Sequence, residues 1–189
     1  MSAKSNVITR RVVVEGICPI MFDRLVNITT DLPPEERFYF ADDGETLVLP
    51  MKNIASFLSG QNSNSACKML IETRRWKKVA QGLSGFVQVE PFLIPFTRNG
   101  KPLKFKGRWT DDIYVDRDIG RQGVPHEVLR PVVKTPWELS FTVRILPKLE
   151  ELFGFGEHNV RDLFENGGLA VGLGTYRGVY GKFQVTKWE

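Results

Sequence analysis

Gly167-Gly168-Leu169-Ala170-Val171-Gly172-Leu173-Gly174-Thr175-Tyr176-Arg177-Gly178-Val179-Tyr180-Gly181-Lys182-Phe183-Gln184-Val185 is the most specialised stretch of the chain. Six glycines fall in its first fifteen residues, together with two tyrosines and an arginine, and a lysine follows. Inside regular structure each glycine costs about 0.5–1 kcal/mol relative to alanine, so this density needs a reason. Either the backbone takes positive φ angles or it approaches something closely. A dinucleotide-binding loop is excluded by order, because it requires strand, then glycines, then helix. Here a helix precedes the glycines and a strand follows, and no phosphate-loop lysine pattern is present.

The flanks of this loop set the fold class. Upstream, Trp137-Glu138-Leu139-Ser140-Phe141-Thr142-Val143-Arg144-Ile145-Leu146 alternates apolar with polar residues and reads as an amphipathic strand ended by Pro147. His158-Asn159-Val160-Arg161-Asp162-Leu163-Phe164-Glu165-Asn166 reads as a helix with Leu163 and Phe164 inward and Gly167-Gly168 as its stop. Downstream, 182–188 closes the chain as a strand in which Phe183, Val185 and Lys187 share one side. Strand, helix, glycine loop and strand make one β-α-β half of a ferredoxin-like fold. The expectation is an α+β, ferredoxin-like (RRM-like) antiparallel sheet with helices on one face and an inserted basic β-hairpin. One domain is expected over 1–189, with the inserted hairpin and an irregular region at about 86–136.

Toward the N-terminus, the valine-dense run 7–17 reads as the first strand, ended by Cys18-Pro19. Asp42-Asp43-Gly44 between Phe38-Tyr39-Phe40 and Thr46-Leu47-Val48-Leu49 is a hairpin signal. Ile54, Phe57 and Leu58 recur at helical spacing, with Asn53 as the expected cap. Residues 66–71 resume helix or strand. Two strands separated by Pro91 are expected over 86–96, and Arg98-Asn99-Gly100-Lys101 is a turn. In Leu103-Lys104-Phe105-Lys106-Gly107-Arg108-Trp109 a period-2 strand would put Lys104, Lys106 and Arg108 on one face. Such a one-signed stripe favours a polyanionic partner. Residues 111–136 show little periodicity and many charges.

The chain has 189 residues, 42% hydrophobic and 25% charged, which is the balance of a globular protein and not of a disordered one. No apolar run is long enough for a membrane-spanning helix, and 1–6 carry no apolar signal-peptide core, so a cytoplasmic location without membrane attachment is expected. The net charge of +4 permits a polyanionic partner without demanding one. Cys18 and Cys67, with only two histidines and no CxxC or HxxxH spacing, give no structural metal site. Two buried thiols are the expectation. Arg74-Arg75-Trp76-Lys77-Lys78 sets four cations around a tryptophan. It reads equally as a solvated helix face with Trp76 docked inward or as a phosphate-contacting patch with a stacking platform.

The loop Gly172-Leu173-Gly174-Thr175-Tyr176-Arg177-Gly178-Val179-Tyr180-Gly181-Lys182-Phe183 resembles the C-terminal signature of the RAMP superfamily, the RNA-binding proteins of CRISPR effector complexes. Leu47-Val48-Leu49-Pro50-Met51-Lys52-Asn53-Ile54 is similar to that superfamily's strand-proline-turn-helix entry and brings Lys52 into the RNA-contact set. The likeness covers about half the chain and is strongest to a compact backbone subunit. It implies single-stranded guide RNA as ligand and copies of itself or sister subunits as partners, without a cofactor. Carried onto this chain, Gly172, Gly174, Arg177, Gly178 and Gly181 would meet RNA backbone, since bare amides reach phosphate only where no side chain intervenes. Arg177 adds a forked donor, Tyr176 or Tyr180 a stacking ring, and Lys182 a charge. The basic residues Arg74, Arg75, Lys77, Lys78, Lys104, Lys106 and Arg108 complete the expected RNA-binding set.

Some RAMP proteins cut RNA. For metal-independent acid–base cleavage the candidates are His126 and His158, and for a metal-dependent loop aspartate the candidate is Asp23, although Cys18-Pro19-Ile20 stands where a glycine-rich motif is expected. No Ser/His/Asp or Cys/His arrangement can be assembled. The reading is therefore a non-catalytic RNA-binding subunit. The alternatives are a metal-independent endoribonuclease processing CRISPR RNA, and a viral RAMP-like protein acting by protein interaction with a host complex.

Overall fold

A computed structural model describes residues 6–24, 32–61, 64–122 and 124–189, without the side chains of 118–126. In chain order the elements are β1 (Ile8–Gly16), β2 (Ile20–Met21), a 3-10 turn (Pro34–Arg37), β3 (Val48–Pro50), α1 (Met51–Ser59), α2 (Ala66–Leu70) and α3 (Trp76–Phe86). There follow β4 (Val87–Glu90), β5 (Leu93–Arg98), β6 (Lys101–Pro102), β7 (Ile113–Gln122) and β8 (Val124–Val133). The chain ends with β9 (Glu138–Ile145), α4 (Lys148–Phe153), α5 (Glu157–Ala170) and β10 (Phe183–Trp188).

The main sheet is antiparallel throughout. β10 pairs β1, β1 pairs β9, and β9 takes β4 along residues 142–145 and β5 along 138–139. Reduced to its four principal strands this is the order fourth–first–third–second of a ferredoxin-like fold. The helices cover one face. Val12 and Val14 of β1, and Leu139, Phe141 and Val143 of β9, meet Ile54 and Phe57 of α1 and Val160, Leu163 and Phe164 of α5 in one apolar cluster. The rings of Phe57, Phe141 and Trp188 all lie within 6 Å of Phe164, centroid to centroid. Burial of each such ring is worth about 1.5–3 kcal/mol. A second aromatic group, Phe22, Phe38, Phe96 and Phe105, seals the base of the 38–49 hairpin.

Several expectations are corrected. Ile113–Gln122 and Val124–Val133, expected to be irregular, pair as the two ten-residue strands of a β-hairpin, which β2 extends through Ile20–Val133 and Met21–Val132. Charged residues interrupt its sequence, among them Asp116, Arg117, Glu127 and Arg130, so no apolar period marks it. The basic segment 101–109 is a strand only over Lys101–Pro102, which is β6; beyond it Phe105 is buried while Lys104, Lys106 and Arg108 stay exposed. Asn53 does not cap α1, whose N-cap is Pro50. Gly167 and Gly168 do not stop α5, which continues to Ala170. They are small because a Cβ at Gly167 would lie 2.6 Å from the Cβ of Ala66, and one at Gly168 2.6 Å from the ring of Phe183. A β-bulge opposite Val13 and Val14 then turns Trp188 inward beside Val12 and leaves Lys187 opposite Val13 on the outer side.

The outer face of the sheet carries Thr9, Arg11 and Glu15 of β1, Glu138, Ser140, Thr142 and Arg144 of β9, and Gln88 and Glu90 of β4. Acids and bases are mixed there, and Arg144 pairs with Glu90. None of these side chains is aromatic, so this face lacks the stacking rings by which RRM sheets hold bases.

Candidate nucleic-acid interface

The glycine loop joins α5 to β10 and folds down on the chain between β1 and β2. Its backbone amides are engaged internally. Leu173 N–H donates to Gly181 O (2.9 Å), Thr175 to Met21 O (3.0 Å), Gly178 to Val171 O (2.7 Å) and Gly181 to Pro19 O (2.8 Å). Gly174 N–H donates to Asn53 Oδ1 (3.0 Å) and Lys182 N–H to Cys18 Sγ (3.1 Å). Gly172, Val179 and Tyr180 also donate within the loop or to α5. The amides of Gly172, Gly174, Gly178 and Gly181, expected to meet RNA backbone, are thus bonded within the chain. At φ +77° a Cβ on Gly174 would sit 2.5 Å from Met21 O, and at φ +72° one on Gly181 would sit 1.9 Å from Leu173 O. Close packing of chain on chain accounts for both.

Arg177 also turns inward. Its guanidinium donates to Ser56 Oγ (3.3 Å), Asn64 O (3.1 Å) and Asn53 O (3.3 Å), fastening the loop to α1. Burial pulls its pKa below the ordinary guanidinium value. Tyr180 donates its hydroxyl to Asp116 of β7, which ties the loop to the hairpin. Tyr176 remains outward, 46% exposed at φ +56°, with the Arg130 guanidinium 5.9 Å from its ring centre. Gly178 is exposed and Lys182 half-buried.

Asp23, the candidate metal-site aspartate, lies between two arginines. Arg37 donates to one carboxylate oxygen and Arg130 to the other, the latter at 2.9 Å. All three side chains are nearly covered, so this triad is a brace joining the 3-10 turn, the chain after β2 and the hairpin. His158, the candidate general acid or base, is 84% exposed on α5, with the Asp162 carboxylate 3.3 Å away. The side chain of His126 lies outside the described residues. Among the described residues no group of three His, Cys, Asp or Glu side chains is placed to hold a metal ion.

A small pocket opens beside the glycine loop. Asp23, Tyr39, Asn53, Gly174 and Thr175 line a cavity of about 130 Å³, walled on its apolar side by Phe22 and Leu49. Two exposed cations flank its tyrosine: Arg24 lies 5.9 Å and Lys52 5.8 Å from the Tyr39 ring centre. Neither makes an ion pair among the described residues. Burial raises the Tyr39 pKa, with Asp23 adding to the rise and Arg24 opposing it, so the phenol keeps its proton.

Of the expected RNA-binding residues the fold thus brings Lys52, Gly174, Tyr176 and Arg177 to one region. The remaining basic residues lie elsewhere. Arg74, Arg75, Lys77 and Lys78 are exposed around Trp76, which is 9% exposed and docked inward at the start of α3, with Lys68 and Lys77 over its ring. Trp76 is therefore no stacking platform. Lys104 is neutralised by Asp43 (3.1 Å) and Glu45 (3.4 Å), while Lys106 and Arg108 make no ion pair among the described residues. Arg24, Tyr39 and Arg130 had no local signal; they become neighbours of the loop only through the pairing of β2 with β8 and the 38–49 hairpin. Cys18 is half-buried and Cys67 buried, both free, and burial pushes the Cys67 thiol up to about 12.

No protein-family model and no curated protein matches the chain. Among solved structures, a chain in the cryo-EM structure of the Type III-B Cmr-beta bound to cognate target RNA superposes on 95% of this one with a TM-score of 0.51 and 14% identity. The fold is shared. At that identity the likeness is one of fold alone, and this chain spans 60% of the other's length. Among the described residues no helix is long and apolar enough to cross a membrane.

Proposed function

We propose that the chain is a non-catalytic, RAMP-like subunit that binds single-stranded RNA and assembles with copies of itself or sister subunits in a CRISPR-type effector complex. The observation that carries the reading is the ridge beside the glycine loop, where Arg24 and Lys52 flank Tyr39 and Arg130 lies over the exposed Tyr176. Exposed cations beside rings are what a single strand needs: Arg24 and Lys52 offer charge for its phosphates, and the exposed Tyr176 a flat face for a base. The resemblance of fold to a chain of an RNA-bound complex supports the same class of ligand. Against catalysis, both oxygens of Asp23 serve ion pairs and His158 stands in solvent away from the ridge.

Fluorescence anisotropy of the purified chain with a labelled single-stranded RNA tests this. Binding should weaken steeply with salt; for four neutralised phosphates the log–log slope is roughly −3. The RNA should be recovered intact after incubation in EDTA. Absence of binding at low salt, alone and within an assembled complex, would overturn the proposal, and cleaved RNA would return a chemical role to His126 or His158.

A further inference from the structure

The 130 Å³ pocket differs chemically from its mouth. Its volume is that of about four waters at roughly 30 Å³ each. That is well below the roughly 300 Å³ at which pockets begin to enclose a whole small-molecule ligand. One sugar ring fits; a nucleotide does not. The lining supplies a carboxylate, a phenol, a carboxamide and a hydroxyl, from Asp23, Tyr39, Asn53 and Thr175. The two free cations, Arg24 and Lys52, stand together at the Tyr39 ring.

Three of the pocket's polar groups have hydrogen-bonding capacity left. Gly174 N–H holds the carbonyl oxygen of Asn53, which leaves that side chain's NH₂ as its free end. The amide NH₂, the Thr175 hydroxyl and the Tyr39 hydroxyl make no hydrogen bond with other described residues. With the Asp23 carboxylate already held by Arg37 and Arg130, the groups left to a ligand are an amide, a phenol and a hydroxyl, and donors and acceptors side by side suit a sugar hydroxyl, which is both. Cations at the tyrosine suit the phosphate that follows the sugar.

Building on the RNA-binding reading, we propose that this pocket seats one ribose of the bound strand and reads its 2′-hydroxyl, with the adjoining phosphate on Arg24 and Lys52. The 2′-hydroxyl is the group by which a protein tells RNA from DNA at a given site. The pocket therefore gives this chain a preference for RNA that stacking and charge alone would not.

The test compares anisotropy affinities of the full chain for one labelled single-stranded RNA, the DNA of the same sequence, and the same RNA 2′-O-methylated. RNA should bind about tenfold more tightly than either analogue, the difference that one or two hydrogen bonds supply. Thr175→Val and Tyr39→Phe should each bring the ratio toward one by weakening RNA more than DNA; either variant suffices if the other fails to fold. Arg24→Gln should weaken both strands alike. Equal wild-type affinity for RNA and DNA, or a ratio unmoved in both variants, would overturn the ribose pocket and leave RNA binding standing. No binding to any of the three would overturn the RNA-binding reading itself, and the pocket with it.

Discussion

At Gly181 a single methyl group would sit 1.9 Å from the carbonyl oxygen of Leu173, whereas at Gly178, also at positive φ, it would meet nothing within 4 Å. The two positions separate backbone preference from packing. Gly178→Ala should cost only the left-handed penalty of about 1–2 kcal/mol. Gly181→Ala should cost that plus the displacement of the loop backbone at Leu173, and so exceed it by at least about 1 kcal/mol. Urea denaturation of both variants checks this, and equal losses would show that packing does not select Gly181. The same residues explain why the loop was legible as special but not for its cause. A glycine under a backbone carbonyl and a glycine under a phosphate look alike in sequence. Arg177 could not be foreseen as a fastener either, because its acceptors lie on Asn53, Ser56 and Asn64, more than a hundred residues away.

Among the elements, α5 is fixed to the sheet at its first residue. Glu157 accepts from Arg10 of β1 through both carboxylate oxygens, and from the Trp188 indole N–H of β10 (3.1 Å). These bonds, the Arg10 hydrogen bond foremost, hold the Glu157 pKa below its ordinary value, and the helix N-terminus favours the same charge. A depressed folded-state pKa means that the stabilisation is whole above the ordinary glutamate value of about 4.3 and is lost as pH falls below it. Stability measured by denaturation should therefore decline from about pH 4 downward, and Glu157→Gln should flatten part of that decline while lowering stability at neutral pH. An unchanged acid limb in the variant would remove Glu157 from the account. The elements also differ in how openly they show themselves. β9 buries alternate residues and its sequence alternates accordingly. In β7, Asp116 and Arg117 find partners in Tyr180 and Glu127, on other elements, so the strand has no apolar period of its own.

For the molecule as a whole, topology makes the proposed interface. The pairing of β2 with β8, the Asp23 triad and the Tyr180–Asp116 bond hold the hairpin against the glycine loop, so that Arg130 and Tyr176 stand near the pocket at Tyr39. The ferredoxin-like fold class was legible in the closing strand-helix-loop-strand pattern, but the location of the binding ridge was not, because it is assembled from residues near 24, 39, 52, 130 and 176. The basic patch at 74–78, conspicuous in sequence, surrounds a buried tryptophan on another part of the surface. Photocrosslinking a single-stranded RNA carrying 4-thiouridine to the purified chain, followed by peptide mapping, tests the central claim most directly. Crosslinks should concentrate on the segments carrying Tyr39 and Tyr176; crosslinks confined to 74–78 or to the outer face of the sheet would contradict it.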